Sequence, residues 1–201
     1  MPNAFAQFFR SAEPARDNYL SRLFAFFAED IVRAWCSYPL ARYEDLGLPT
    51  LLGQGETRGH TLDFTLRKRE TVVPFVAELK SELAHEGYRY LTLADPSQLL
   101  HHSGKPAFAK LPQVARNPTS MTVRLSSKPI EVGGAVLIWG AVTPEGREAV
   151  MRQYAFTDVL SVEAMLEDLR IWAPETWTER MARYRGWTDD LFDFVLNSQV
   201  S

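Results

Sequence analysis

Two neighbouring apolar segments, about Arg58–Arg69 and Thr71–Lys80, constrain the fold of this chain more than any other feature. Apolar and polar side chains alternate along both segments, which is typical of half-buried β-strands. The connection between them is short, so we expect the two strands to pair antiparallel. Three charged residues, Asp63, Glu78 and Lys80, interrupt the apolar pattern. Because an unpaired charge is costly to bury, these side chains either face solvent or serve a function.

Strand alternation also predicts how the three charged side chains lie relative to one another. Residues two apart share a face of a strand, so Glu78 and Lys80 project together. If the hairpin turns at residues 70–71, Asp63 lies directly opposite Glu78, with Cβ atoms about 4.5–5.5 Å apart. Two carboxylates at that distance indicate a bound cation or a raised pKa. The connection lacks the usual two-residue turn signal, and Pro74 requires an edge position or a bulge, so the register stays open here.

This set of residues suits metal-dependent hydrolysis. Two carboxylates with room for water are typical ligands of Mg²⁺ or Mn²⁺. An ammonium group beside them can hold a water molecule or stabilise charge that develops on a phosphoryl oxygen. The combination therefore indicates an apparatus for cleaving phosphodiester bonds.

The same residues resemble the signature of the PD-(D/E)xK nuclease superfamily, which includes restriction endonuclease-like proteins and Holliday-junction resolvases. Asp63 is followed, after fourteen intervening residues, by Glu78-Leu79-Lys80 at the end of an apolar strand. The resemblance covers roughly residues 15–143. It implies an α/β (α+β) fold with an αβββαβ core, in which helices flank a central mixed sheet.

The resemblance also implies a role for each residue of the motif. Asp63 and Glu78 would bind Mg²⁺ (or Mn²⁺), with the backbone carbonyl of Leu79 as a further ligand. Lys80 would orient or activate the attacking water. The chain departs from the pattern in two ways, since Leu62 stands where the motif has proline and no glutamine-containing motif follows directly.

The first long helix, predicted from Pro14 to Cys36, offers a further acidic ligand. The superfamily often adds an acid from this helix, and Glu29 and Asp30 are both available. Asp30 falls within the widened apolar face, where an acid needs a partner, so we favour Asp30. Glu29 has the residue type that is usual in the superfamily, and it is the alternative.

The distribution of charge gives a separate indication of nucleic-acid binding. The net charge of −3 makes no case for such a partner by itself. Between Asp95 and Glu131, however, five basic residues occur without any acidic one. These candidate phosphate contacts are Lys105, Lys110, Arg116, Arg124 and Lys128. A surface segment that happens to lack acids explains the same stretch equally well.

The rest of the chain completes the predicted architecture. Its 201 residues suit one domain, with a nuclease-like core over about 15–143 and a helical C-terminal extension over about 144–201. The acidic C-terminal helices favour docking of another subunit, either a second copy or part of a larger complex. We see no signal peptide or membrane span, which predicts a cytoplasmic protein that binds no membrane. A single cysteine, Cys36, excludes an intrachain disulfide.

Two main classes of function follow from these patterns. The first is a Mg²⁺-dependent nuclease, an endo- or exodeoxyribonuclease whose partner is nucleic acid, in the first place DNA. The second is a non-catalytic protein that keeps the nuclease-like fold and binds nucleic acid or a protein. Hydrolysis of a small phosphorylated substrate by the same residues is a third hypothesis.

Overall fold

The structure, a computed structural model, describes residues 4–81 and 83–197 and shows a mixed α/β fold. The helices are α1 (Ala4–Phe9), α2 (Pro14–Ser37), α3 (Pro106–Arg116), α4 (Pro144–Tyr154), α5 (Val162–Trp172) and α6 (Pro174–Asn197), with 3₁₀ helices at Pro96–His102 and Pro118–Ser120. The first strands are β1 (Tyr43–Asp45), β2 (Pro49–Leu52), β3 (His60–Thr61), β4 (Phe64–Lys68), β5 (Phe75–Lys80) and β6 (Thr92–Leu93). The remaining strands are β7 (Thr122–Leu125), β8 (Lys128–Ile130), β9 (Ala135–Trp139), β10 (Ala141–Val142) and β11 (Asp158–Ser161).

A five-stranded mixed sheet in the order β1-β4-β5-β9-β11 forms the centre of the fold. β1, β4 and β5 pair antiparallel, whereas β5, β9 and β11 run parallel. β9 is buried along its whole length, as its continuous apolar sequence predicts. Helices α2 and α5 cover one face of the sheet, and α3 and α4 cover the other. The predicted central mixed sheet with flanking helices is therefore confirmed.

Helix α2 agrees with its predicted bounds to within one residue. Pro14 occupies the first turn, where its missing N–H costs no hydrogen bond, and Tyr38 takes an extended conformation that ends the helix. The apolar face buries Ile31, Val32 and Trp35 against the sheet. Burial of this wide stripe, more than intrinsic propensity, stabilises the helix in place.

The β4–β5 hairpin has the predicted register, although its strands are shorter. Phe64 lies opposite Ala77, and the next pairs, Thr65 with Val76 and Leu66 with Phe75, continue the same register. The expected turn at residues 70–71 is wrong, because residues 69–74 together form the connection. Pro74 lies in this connection and not in the strand ladder, so no ladder bond is lost there.

The C-terminal extension is not purely helical, which corrects the prediction. Within it, β11 pairs parallel with β9 and forms the fifth strand, at the edge of the main sheet. Asp158 at its start is 3% exposed and accepts a hydrogen bond from the Tyr43 hydroxyl at 3.0 Å. Residues that follow position 143 are thus part of the central fold.

A second sheet, in the order β3-β2-β7-β8, was absent from the prediction. Its pairs are all antiparallel, and they join the glycine-rich segment around β2 to residues some seventy positions later. Within residues 4–81 and 83–197, no helix is both long enough and apolar enough to cross a membrane.

Candidate functional site

Asp63, Glu78 and Lys80 lie together at one end of the central hairpin. Glu78 and Lys80 end β5, and Asp63 directly precedes β4, so the observed register places the two acids across from each other. The Oδ2 atom of Asp63 accepts the backbone N–H of Leu79 at 2.8 Å. The Nζ atom of Lys80 lies 2.5 Å from Oε1 of Glu78. The structure thus brings together the three residues of the motif.

One oxygen of this cluster is buried without a donor. Glu78 is 5% exposed, and its Oε2 atom has no hydrogen-bond partner among the described residues. A buried carboxylate oxygen without a partner is costly, so it calls for a specific explanation. A hard divalent cation, which prefers carboxylate oxygens, fits this position. The role of the Leu79 backbone carbonyl as a further metal ligand stays a prediction.

Both acids have raised pKa values. Burial raises the pKa of Asp63, while the Leu79 N–H and the charge of Lys80 act in the opposite direction. Burial likewise raises the pKa of Glu78, Lys80 counteracts it, and the negative charge of Asp63 adds to the rise. The buried Glu78 and the half-buried Asp63 repel each other at close range, and a cation between them would relieve that repulsion.

The ammonium group of Lys80 is positioned by α3. Its side chain is 12% exposed, and Nζ lies 5.5 Å from the centre of the Phe108 ring. Phe108 itself is buried between α3 and the sheet. The charge of Lys80 is therefore held between Glu78 and an aromatic face, an arrangement that limits its movement.

The two candidate acids of α2 point in different directions. Asp30 accepts a hydrogen bond from the Tyr184 hydroxyl of α6 at 3.1 Å, so the structure does not bring Asp30 to the other site residues. Glu29 lies on the other side, where its charge contributes to the raised pKa of Asp63. Glu29 also pairs with Arg33 at 3.0 Å. The structure therefore favours Glu29, the alternative, as the helix acid beside the site.

The five basic candidates are distributed over α3 and the second sheet. Lys110 is 8% exposed, and its Nζ atom lies 2.6 Å from Oε1 of Glu56, so its charge is already paired. The other four are exposed at the start of α3, at its end, and on β7 and β8: Lys105, Arg116, Arg124 and Lys128. Lys110 thus differs from the rest, because contact with a phosphate would require its buried ammonium to leave the carboxylate of Glu56.

An open cleft adjoins the end of β5. It has a volume of about 480 Å³ and is lined by Asn18, Ser21, Arg22 and Ala25 of α2 and by residues 81 and 83–85. The cleft lies on the α2 side of β5, whereas Lys80 projects toward Phe108 of α3 on the other side, so the cleft is separate from the candidate site. Sequence reasoning missed Arg22, although its seven-residue spacing from Glu29 places both on one face of the helix.

A second group of potential ligands lies nearby. The ligand atoms of His85, Glu86 and His101 are all within 4.8 Å of one another. Imidazole nitrogens suit Zn²⁺ better than Mg²⁺. Glu86 already pairs with Arg89 at 3.4 Å, and both imidazole rings pack against Tyr90. These contacts account for the cluster without an ion, so it adds nothing to the Mg²⁺ site.

No protein-family model, curated protein or solved structure matches this chain. Inference about its function therefore rests on the geometry and chemistry of the site.

Proposed function

We propose that the protein is a metal-dependent nuclease that hydrolyses phosphodiester bonds of nucleic acid, in the first place DNA. The observation that carries this proposal is the buried, unpartnered Oε2 atom of Glu78, which lies in one cluster with Asp63 and Lys80. A purely structural ion pair would satisfy the lysine but would leave this oxygen without a partner. A divalent cation would satisfy it.

The order of elements around the site supports the same proposal. Helix α2 is followed by β1, β4 and β5, then by α3 and β9, and these four strands are neighbours in that order. This arrangement is similar to the αβββαβ core that the PD-(D/E)xK resemblance implies. The insertion of the second sheet leaves the order of the core elements unchanged.

The chemistry divides among the side chains in a simple way. Asp63, Glu78 and the carbonyl of Leu79 would hold Mg²⁺ or Mn²⁺, and Glu29 would add negative charge at the rim of the site. When bound, the cation would supply charge stabilisation at a phosphoryl oxygen and would lower the pKa of water. Lys80 donates a hydrogen bond to the attacking water and orients its lone pair toward phosphorus. A new P–O bond forms as the attacking water loses a proton to solvent, the bond to the leaving sugar oxygen breaks, and that oxygen takes up a proton from solvent.

The surroundings of the site suit a polymer substrate. The open cleft on the α2 side of β5 reaches the surface, and Arg22 lies in its wall. Arg22 is a candidate for contact with a phosphate at some distance from the one that is cleaved. The exposed Lys105, Arg116 and Arg124 are candidates for more distant backbone contacts, which position a nucleic acid without reading its sequence.

The proposal is tested by incubating the purified chain with double-stranded DNA, single-stranded DNA and RNA in the presence of Mg²⁺ or Mn²⁺. We expect cleavage of at least one of these polymers, and we expect EDTA to abolish it. Asp63→Ala and Lys80→Ala are each expected to reduce the rate by at least about 10²-fold. Lys68→Ala is the matched control, because Lys68 ends β4 at the opposite end of the same hairpin.

Calorimetry with Mn²⁺ separates the alternatives. Binding that is lost in Asp63→Ala, without cleavage of any polymer, would favour the non-catalytic protein with a nuclease-like fold. Turnover of a small phosphorylated compound alone would favour the small-substrate hydrolase. Absence of both cleavage and divalent-ion binding in the wild-type chain would overturn the proposal.

A further inference from the structure

The C-terminal half of α6 presents an extensive apolar surface. Six large apolar side chains there are between 45% and 81% exposed: Trp187, Leu191, Phe192, Phe194, Val195 and Leu196. The first half of the helix is anchored, since Trp177 packs against the main core and the Tyr184 ring lies 5.6 Å from that of Phe27. Contiguous apolar surfaces of this kind mark interaction sites. We call residues 183–196 the α6 surface.

Over residues 180–193, the charges of α6 divide into two blocks around Trp187. In this stretch basic residues precede it and acidic residues follow it: Arg180, Arg183, Arg185, Asp189, Asp190 and Asp193. Such a helix is complementary to a reversed copy of itself. This property favours an isologous contact, in which the same surface is used by both partners.

Three residues of the α6 surface fit such a contact in detail. Arg183 lies four residues before Trp187 and Asp190 three residues after it, so all three share one face of the helix. With a rise of about 1.5 Å per residue, Arg183 and Asp190 lie about 6 Å and 4.5 Å on either side of Trp187. All three side chains are exposed, and neither Arg183 nor Asp190 forms an ion pair with another residue in the described part of the chain.

We propose that two copies of this chain form a dimer through antiparallel α6 helices, with the two-fold axis beside Trp187. In this arrangement Arg183 of each copy lies opposite Asp190 of the other, and the two Trp187 side chains meet at the axis. The dimer is independent of the proposed nuclease activity, because its surface contains none of the residues of the candidate site.

The helical period places Trp187, Leu191 and Phe194 on the face that carries Arg183 and Asp190. At roughly 150–250 Å² for each aromatic side chain, the exposed parts of Trp187 and Phe194 in two copies supply on the order of 500 Å² of apolar surface. Leu191 of each copy adds to this area, which suits a contact at the lower end of the size range of specific interfaces. The charged pairs then determine the register and orientation of the helices.

Reversal of charge tests both the partner and the register. Sedimentation equilibrium of the full chain should show a dimer for the wild type. Arg183→Asp and Asp190→Arg should each weaken dimerisation by at least about tenfold, because each places like charges opposite one another. The double variant Arg183→Asp/Asp190→Arg should restore the dimer, since it exchanges the charges of each pair.

The matched control is Arg185→Asp, which reverses a charge on the opposite face of the same helix, where Arg185 lies 4.0 Å from Asp189. This variant should remain a dimer, and circular dichroism should show unchanged helix content in all four variants. A monomeric wild type would overturn the proposal, as would binding of a different protein without self-association. The proposal would also be overturned if neither single charge reversal weakened dimerisation, or if the double variant did not restore it. Either result would place the interface elsewhere.

Discussion

At the scale of single residues, the candidate site combines unfavourable features that stabilise nothing by themselves. Glu78 is buried beside the half-buried Asp63, and the Oε2 atom of Glu78 has no hydrogen-bond partner among the described residues. Such an arrangement lowers the stability of the folded state in the absence of a ligand. Sites where local rules are broken are often functional, because binding recovers the free energy that burial costs.

The first prediction concerns Asp63 and pH. Because burial raises the pKa of Asp63 above its ordinary value of 3.8, the folded state binds a proton more strongly than the unfolded chain does. Stability therefore falls as pH rises from 3.8 through the raised pKa, and the cost is fully present above that raised pKa. Asp63→Asn should accordingly raise Tm at pH 7 in EDTA, by roughly 2–4 °C for each kcal/mol that is relieved. This difference in Tm between the variant and the wild type should disappear well below pH 3.8, where the carboxyl group of Asp63 is protonated in both the folded and the unfolded chain.

Thermal unfolding across this pH range, with and without Mg²⁺, measures the effect. Added Mg²⁺ should stabilise the wild type and leave Asp63→Asn unaffected, because the variant lacks a ligand. Asp189→Asn, on the exposed surface of α6, is the control and should follow the wild type. A variant that is less stable than the wild type at pH 7 in EDTA would contradict the prediction.

At the scale of elements, α2 serves two sides of the molecule through adjacent residues. Successive positions of a helix point about 100° apart, so Glu29 and Asp30 cannot face the same neighbour. Glu29 lies on the side of Asp63, whereas Asp30 accepts a hydrogen bond from Tyr184 of α6. One turn of α2 thus contributes both to the candidate site and to the docking of the last helix.

The second prediction separates these two roles. Glu29→Ala should reduce metal-dependent cleavage by about tenfold or more, because it removes negative charge beside the metal ligands. Asp30→Ala should leave cleavage unchanged and lower the free energy of unfolding by about 1 kcal/mol, since the Tyr184 hydroxyl loses its acceptor. Cleavage rates and urea unfolding of both variants provide the comparison. The opposite pattern would assign the helix acid to Asp30.

At the scale of the whole molecule, Asp158 ties the C-terminal part of the chain to the rest. Its carboxylate accepts from Arg42 at 3.0 Å, from the Tyr43 hydroxyl at 3.0 Å and from Arg147 at 2.5 Å. These partners belong to the segment around β1 and to α4. The network therefore connects the two edge strands of the main sheet, β1 and β11. It explains how one domain includes residues beyond position 143.

The third prediction follows from this network. Asp158→Ala should lower the free energy of unfolding by about 3 kcal/mol, because it leaves two cations and a buried hydroxyl without their shared acceptor. The exposed arginines can reach water, which keeps the loss at the lower end of the usual range. Urea unfolding measures the change. Asp189→Ala should stay within about 0.5 kcal/mol of the wild type, and an equally small effect of Asp158→Ala would contradict the prediction.

The sequence by itself determined the features that depend on neighbouring residues. The twofold period of a strand predicted the shared face of Glu78 and Lys80. The register of a hairpin centred on residues 70–71 predicted the position of Asp63 opposite Glu78. The helical period predicted the bounds of α2. Each of these features depends on contacts within one element or between two consecutive ones, and their geometry is encoded locally.

Tertiary structure alone decided the features that depend on residues far apart in sequence. Neither the choice between Glu29 and Asp30 nor the pairing of Lys110 with Glu56 follows from local periodicity, because both depend on which distant element packs nearby. The four residues of β11 are too few to signal a strand, and they become one only because β9 offers a partner. Long-range packing thus decides which charges remain available for chemistry, whereas short-range pattern decides where they stand on their own strands.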